Sequence, residues 1–156
     1  MNDLFFDFEA DFVSSLHCIP MVVRYKLDTC GVKLKLAHWN QFDSVTRHQL
    51  VAQPVENSTD INAYRQLLYT TVKQYSDIPL KDLPIDPNPP WTNDIVVPDS
   101  VEQKAGEMGV KINSSQWKKL TPLQRFALIK LSRPSHENKN FLPALREFDL
   151  LDINHS

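Results

Sequence analysis

The chain has 156 residues, of which 42% are hydrophobic and 23% are charged, as is typical of soluble globular proteins. Its formal net charge of −2 argues against general affinity for nucleic acid or for anionic membranes. No apolar run approaches the roughly 20 residues that a transmembrane helix needs. The two cysteines do not make a disulfide scaffold, so we expect a reduced, cytoplasmic protein.

The first residues, MNDLFFDFEADF, combine acidic and phenylalanine side chains. They lack the basic segment of a secretory signal. Phe5, Phe8 and Phe12 are spaced to share one face of a helix, although Phe6 and Phe8 also fit a short strand. We interpret this stretch as an aromatic arm that packs on the body of the protein. An exposed docking segment is the alternative.

The first half of the chain then predicts a series of helices. One helix runs from Pro20 to about Cys30, because proline suits the first helical turn and Gly31 can adopt the left-handed geometry that ends a helix. A short extended connector leads to a short helix that carries Trp39. The helix after that has Asp43 as its N-cap and ends near residue 52.

A longer amphipathic helix follows, with Thr59 or Asp60 as its predicted cap. Its apolar residues are three or four positions apart, which places them on one helical face. These residues are Ile61, Tyr64, Leu68, Val72 and Tyr75.

The second half predicts similar helices. One runs from Pro98 to Met108 and ends at Gly109, and a short helix with Ser114 as its N-cap carries Trp117. The sequence Thr-Pro-Leu-Gln at residues 121–124 then combines a capping threonine, a proline at the first position and a glutamine at the third. This third helix ends at Arg133-Pro134, and a last one is predicted at 140–150.

The two halves resemble each other in sequence. Residues 31–51 align without a gap with residues 109–129, at an offset of 78 (109 − 31). The identical pairs are Gly31/Gly109, Val32/Val110, Lys33/Lys111, Trp39/Trp117, Arg47/Arg125 and Leu50/Leu128. A repeat at a fixed period is one supersecondary unit used twice. Two copies favour a pseudo-symmetric pair of helical halves.

Prolines are concentrated between these halves, at residues 76–99. This stretch is not expected to be helix or central strand, and Leu83, Ile85 and Trp91 are expected to anchor it. The predicted fold is therefore all-α: two pseudo-symmetric helical repeats, at about 16–75 and 97–150, joined by a proline-rich crossover at 76–96. Together they form one domain over residues 1–156.

Motifs for catalysis are missing from the sequence. It has no phosphate-binding glycine loop, no GxSxG and no HExxH, so we predict a protein that is not an enzyme and has neither a cofactor nor a metal site. His17, Cys18, Cys30 and His38 are the available soft ligands. Because a helix of about three turns separates the cysteines, their α-carbons are expected to be roughly 15–18 Å apart. A thiol ligand role for Cys18 or Cys30 would thus need further ligands from a partner.

Two residue sets could serve recognition. Trp39, Trp117, Arg47 and Arg125 repeat between the halves, and they either pack structurally or contribute to binding. The polar segment at 130–140 connects two predicted helices, where functional residues tend to lie. Its candidates for binding an anion or an acidic partner surface are Arg133, His136, Lys139 and Asn140, together with Arg125 from the preceding helix. A solvated loop is the alternative for this segment.

Three stretches, FDFEADFVSSLHCIPMVVRYKLDTCGVKLKLAHW, LPIDPNPPW and LTPLQRFALIKLSRPSHENKNFLPALREF, resemble the nitrate-reductase-associated protein family. The resemblance extends from about residue 5 to residue 150. The family comprises small cyanobacterial proteins linked to assimilatory nitrate reductase. The resemblance implies a non-enzymatic accessory factor for a reductase that carries molybdopterin and an iron–sulfur cluster. It implies no catalytic residues.

From these observations the sequence predicts a maturation or accessory factor that contacts nitrate reductase during cofactor assembly or stabilisation. Such a factor could hold the apo-enzyme open, deliver or protect a cluster, or stabilise the finished enzyme. The alternative is a small-molecule or anion-binding sensor of nitrogen or molybdenum metabolism, which would bind its ligand near Arg125, Arg133 and His136.

Overall fold

The computed structural model describes residues 5–10, 18–134 and 138–151, without the side chain of residue 138. The sequence predicted an all-α fold, and the structure is mostly helical, with two short strands. The chain divides into two compact units, Met1–Asp86 and Pro87–Ser156, and each is described by itself. Within the described ranges, no helix combines the length and the apolar character needed to cross a membrane.

Within its described residues the first unit contains, besides a 3₁₀ turn at Asp7–Glu9, four α-helices. They are α1 (Met21–Cys30), α2 (Leu36–Gln41), α3 (Ser44–Ala52) and α4 (Ser58–Tyr75). Two short strands, β1 (Val32–Lys33) and β2 (Lys81–Asp82), pair in an antiparallel arrangement in which Val32 faces Asp82 and Lys33 faces Lys81. The core of this unit includes Trp39, Leu50, Tyr64 and Leu68, all completely buried.

Local signals explain most helix ends in this unit. Asp43 caps α3 as predicted, since its carboxylate accepts from the Thr46 backbone N–H at 2.8 Å. Gly31 ends α1 in the left-handed conformation, with φ of 73°. The predicted cap of α4 was wrong: Asn57 caps it by accepting from the backbone N–H of Asp60 at 2.9 Å. The helix begins at Ser58, so its orphan N–H donors include that of Asp60, which the Asn57 side chain can reach.

The described part of the N-terminal arm contacts the start of α1. Phe5 and Phe8 are half-buried, and the rings of Phe6 and Phe8 stack at 5.3 Å. Glu9 is buried, and its carboxylate accepts from the backbone N–H groups of Phe6 and Met21, both at 3.1 Å. This carboxylate satisfies an otherwise orphan donor at the start of α1. Phe12 lies outside the described residues.

The second unit also contains four helices within its described residues. They are α5 (Asp99–Glu107), α6 (Ser114–Lys119), α7 (Pro122–Ser132) and α8 (Phe141–Glu147), with 3₁₀ turns at Pro90–Thr92 and Asn138–Asn140. The rings of Trp91 and Phe126 meet edge to face at 5.0 Å. Helix α7 packs against α5, α8 and both 3₁₀ turns. It is the centre of this unit, which explains why every residue from 125 to 132 except Lys130 is buried.

The predicted start of α7 is confirmed. The Thr121 hydroxyl accepts from the Gln124 N–H at 3.1 Å, and the Gln124 side chain accepts from the Thr121 N–H at 2.9 Å. For α6 the predicted cap Ser114 was wrong. Asn113 is the cap and forms the same reciprocal pair with Gln116. Ser114 is the first helical residue instead, because glutamine three positions after Asn113 completes the capping box.

The proline-rich residues 76–99 are mostly extended, but they include β2 and the 3₁₀ turn at Pro90–Thr92. Trp91 is buried as expected. The other two expected anchors, Leu83 and Ile85, are 37% and 56% exposed, and the Leu83 backbone N–H donates to the Gly31 carbonyl at 2.8 Å. They lie along the surface beside Gly31, where an added Cβ would come within 2.5 Å of Ile85 Cγ1 and 2.8 Å of the Leu83 carbonyl oxygen.

Candidate functional site

Arg125 lies inside the second unit. Its side chain is 5% exposed, and its Nε–H donates to the carbonyl oxygen of Trp91 at 2.8 Å. Its Nη1 donates to the carbonyl oxygens of Trp117 and Leu120 at 3.2 and 2.8 Å. The latter two carbonyls belong to the C-terminal end of α6, where a cation is favourable. The guanidinium therefore joins this helix end to the turn at Pro90–Thr92.

Arg47 has a related role in the first unit. It is half-buried, and its Nε and Nη2 donate to the carbonyl oxygens of Trp39 and Asn40 at 3.1 and 3.0 Å. These carbonyls lie at the end of α2. The structure thus places both arginines in the structural role that the sequence allowed for them, and Trp39 and Trp117 are completely buried.

A turn at residues 93–96 presents apolar side chains to solvent. Ile95 and Val96 are 70% and 60% exposed. The Asn93 side-chain oxygen accepts from the backbone N–H groups of Ile95 and Val96 at 2.9 and 3.2 Å, and the Asn93 carbonyl accepts from Trp117 Nε1–H at 2.8 Å. Val97, which follows the turn, is buried again. The turn is therefore fixed by these three hydrogen bonds and by the burial of the residue after it.

The sequence did not predict this turn as a site. Asparagine is a residue whose side chain readily bonds the backbone two positions on, and here two β-branched apolar residues follow it closely. An asparagine followed by two such residues in a polar, proline-rich stretch is the sequence signal from which this turn could have been predicted. We refer to Asn93–Val96 below as the apolar turn.

The predicted polar loop is partly described. Arg133 is exposed at the C-terminal end of α7, Lys139 is exposed, and Asn140 is half-buried. The 3₁₀ turn that contains Lys139 and Asn140 packs against α7 and α8. His136 lies outside the described residues. The structure thus places two exposed cations, Arg133 and Lys139, near the ends of adjoining elements, whereas Arg125 is buried among carbonyl groups.

The cysteines occupy different environments. Both are free thiols; Cys18 is half-buried and Cys30 is completely buried. The Cys30 thiol lies 3.9 Å from the carbonyl oxygen of Ile61, to which it donates. Burial raises the pKa of Cys30 to about 11, so the thiol is protonated at neutral pH and is a poor metal ligand.

A metal site is not formed by the described side chains. Among them, no group of three or more His, Cys, Asp or Glu residues could hold a metal ion. His17, one of the soft ligands in the sequence, lies outside the described residues.

Several buried polar groups were not predicted. The ammonium of Lys26 donates to the carbonyl oxygens of Val51 and Gln53 at 2.6 and 2.5 Å, which closes the C-terminal end of α3. Burial lowers the pKa of Lys26. The Tyr64 hydroxyl donates to the Leu50 carbonyl at 2.8 Å, and burial raises the pKa of this phenol.

His38 is also structural. Its Nδ1 lies 3.0 Å from the Lys35 backbone nitrogen, which can only donate. The proton of a neutral ring must then be on Nε2, which lies 2.9 Å from the carbonyl oxygen of Ile78 and donates to it. His38 thereby holds residue 78 against α2, across 40 residues of sequence.

Comparison with known proteins identifies the family of this chain. Neither the curated proteins nor the solved structures include a match to it. One family model does match, and it covers residues 5–148. The chain therefore belongs to the family described as conserved nitrate reductase-associated protein.

Proposed function

We propose that this protein is a non-enzymatic accessory factor for nitrate reductase, acting in the cytoplasm by protein–protein contact during cofactor assembly or stabilisation. The observation that carries the proposal is the family match over residues 5–148, because the family is described by its association with nitrate reductase. The reductase, a molybdenum and iron–sulfur enzyme, is the proposed partner.

We assign the central contact to the apolar turn. Ile95 and Val96 are the kind of aliphatic pair that contributes strongly to binding when a partner covers it. Asn93 and Trp117 hold the backbone beneath them through three hydrogen bonds. Since the turn is already ordered, little conformational entropy is lost on binding. Arg133, Lys139 and Asn140 are proposed to add polar contacts, for which their exposure or half-exposure leaves them accessible.

We further propose that the protein is one domain made of two copies of a helical repeat, joined by the crossover at 76–96. Helices α2 and α6 have bounds that differ by 78 positions at both ends. Gly31 and Gly109, also 78 positions apart, have the same φ of 73°. Arg47 and Arg125 each donate to the carbonyl of the repeated tryptophan. These agreements support descent from one duplicated unit.

The alternative function, an anion-binding or small-molecule sensor, depends on Arg133 and Lys139, which are exposed cations. The three carbonyl partners of Arg125 leave this arginine less accessible than the sequence suggested. A thermal-shift series with nitrate, molybdate and phosphate tests this alternative. A concentration-dependent increase in melting temperature would support it, and no increase with any of the three anions would remove it.

The accessory role is tested by nitrate reductase activity, measured with an artificial electron donor, in extracts of cells that lack this protein. We expect activity to be lost while the reductase polypeptide is still present, which would indicate defective cofactor assembly. Loss of the polypeptide as well would indicate stabilisation. Normal activity would overturn the proposal.

The contact surface is tested by returning variants to the same cells. The double substitution Ile95→Asp with Val96→Asp should fail to restore activity, whereas wild-type protein should restore it. Val45→Asp is the matched control, because Val45 is 76% exposed on α3 of the first unit. If the double variant folds and restores activity as the control does, the apolar turn is not the contact.

A further inference from the structure

The first unit has a concavity between α4 and the segment that follows it. Its volume is about 360 Å³, within the range of small-molecule sites. One wall is the α4 face that carries Gln66, Thr70 and Lys73, and the other is the chain from Ser76 to Leu80. Spacings of three and four residues explain why the three α4 side chains line the same wall.

This second wall is held in place at several points. The Ser76 N–H donates to the Val72 carbonyl at 2.9 Å, and the Ile78 N–H donates to the Ser76 hydroxyl at 3.0 Å. The His38 Nε2–H donates to the Ile78 carbonyl at 2.9 Å. Beyond Leu80 the chain enters β2, which pairs with β1. The concavity is therefore formed before any ligand arrives.

Its lining combines two opposite charges with an apolar surface. Lys73 and Asp77 are both exposed and both line the concavity. Within the described part of the chain, neither of them forms an ion pair. Val72, Ile78 and Leu80 supply the apolar surface, and Gln66 and Thr70 supply uncharged hydrogen-bonding groups.

We propose that this concavity binds a free amino acid with an aliphatic side chain. The carboxylate of the amino acid would pair with the Lys73 ammonium, its ammonium group with the Asp77 carboxylate, and its side chain would contact Ile78 and Leu80. A ligand with only one charge would leave either Lys73 or Asp77 without a counter-charge. A zwitterion satisfies both, and its small size fits the volume. This inference is independent of the proposed association with nitrate reductase.

The experiment is a titration of the ¹⁵N-labelled full chain, followed by ¹H–¹⁵N correlation spectra. The probes are L-leucine, 4-methylpentanoate, which lacks the amino group, and 3-methylbutylamine, which lacks the carboxylate. We expect leucine to shift the amide signals of residues 66–80 and to bind at least tenfold more tightly than either analogue.

Variants separate the two charges. Lys73→Met and Asp77→Asn should each weaken leucine binding about tenfold, to the level of the corresponding analogue. Lys118→Met is the matched control, since Lys118 is exposed on α6 and does not line the concavity, and it should leave leucine binding unchanged. If a variant misfolds, the titrations of wild-type protein with the three probes still test the inference. The inference is overturned if leucine shifts no amide of residues 66–80, or if 4-methylpentanoate binds as tightly as leucine.

Discussion

Trp117 donates its indole N–H to the backbone carbonyl of Asn93 at 2.8 Å, across 24 residues of sequence. This bond connects the completely buried ring of Trp117 to the turn that exposes Ile95 and Val96. Arg125, on the adjacent helix α7, also bonds the backbone just before this turn, because its Nε–H donates to the Trp91 carbonyl. The buried core of the second unit thus positions an exposed aliphatic pair.

The substitution Arg125→Met should destabilise the protein strongly. The carbonyl oxygens of Trp91 and Leu120 would lose their donor inside the unit, and that of Trp117 would keep only its bond from the Leu120 N–H. We expect this to lower the free energy of unfolding by about 3 kcal/mol. Urea unfolding followed by tryptophan fluorescence measures this loss. Arg133→Met is the control, because Arg133 is exposed and should change stability by less than about 0.5 kcal/mol. Equal effects of the two substitutions would contradict the structural role of Arg125.

The two left-handed glycines offer a matched comparison. Gly31 and Gly109 both have φ of 73°, but only at Gly31 would a Cβ meet other atoms. Gly109→Ala should cost about 1 kcal/mol, from backbone conformation alone. Gly31→Ala should cost about 3 kcal/mol, because overlap with the Leu83 carbonyl and Ile85 adds to that strain. Thermal unfolding of the two variants measures the difference. Similar costs would mean that residues 83–85 do not pack against Gly31.

Cys30 should make stability fall at alkaline pH. Burial raises its pKa from 9.0 to about 11, so the unfolded chain releases this proton at a lower pH than the folded protein does. The stability that comes from keeping the thiol neutral is complete below pH 9 and is lost as the pH rises from 9 towards about 11. A shift of this size corresponds to about 3 kcal/mol.

Urea unfolding of wild type and Cys30→Ala between about pH 8 and pH 11 checks this prediction. The difference between the two removes the contribution of groups that do not interact with Cys30, whereas Lys26, which interacts with the thiol by charge, remains part of the difference. We expect the advantage of the wild type over Cys30→Ala to shrink across this range. A difference that is constant with pH would show that Cys30 titrates alike in the folded and unfolded states.

The cap of α6 can be tested by two neighbouring substitutions. Asn113→Ala should cost about 1 kcal/mol, because it removes the acceptor of the Gln116 N–H. Ser114→Ala should change stability by less than about 0.5 kcal/mol, since Ser114 is an exposed residue inside the helix. Thermal unfolding of the two variants measures these costs. A larger cost for Ser114→Ala than for Asn113→Ala would show that Ser114 is the cap.

The sequence resemblance to the nitrate reductase-associated family was confirmed by the family match, but it carried no residue-level site. The apolar turn and the concavity beside α4 are harder to predict, because both depend on contacts between residues that are distant in sequence. Nothing in the sequence near Ile95 indicates that Trp117 supports this turn. Likewise, the concavity beside α4 depends on His38, which is 40 positions from Ile78.

Most features whose partners lie within one helical turn could be predicted from the sequence, although the caps of α4 and α6 were not. The caps at Asp43 and Thr121 and the helix end at Gly31 are of this kind, because a side chain or a glycine acts there on backbone groups three or four residues away. The burial of polar groups, in contrast, depended on how the helices pack. Lys26 bonds a carbonyl 25 residues away, and Arg125 bonds one 34 residues away. Their burial is stable because those carbonyls would otherwise lack donors, a condition that exists only once the helices have packed.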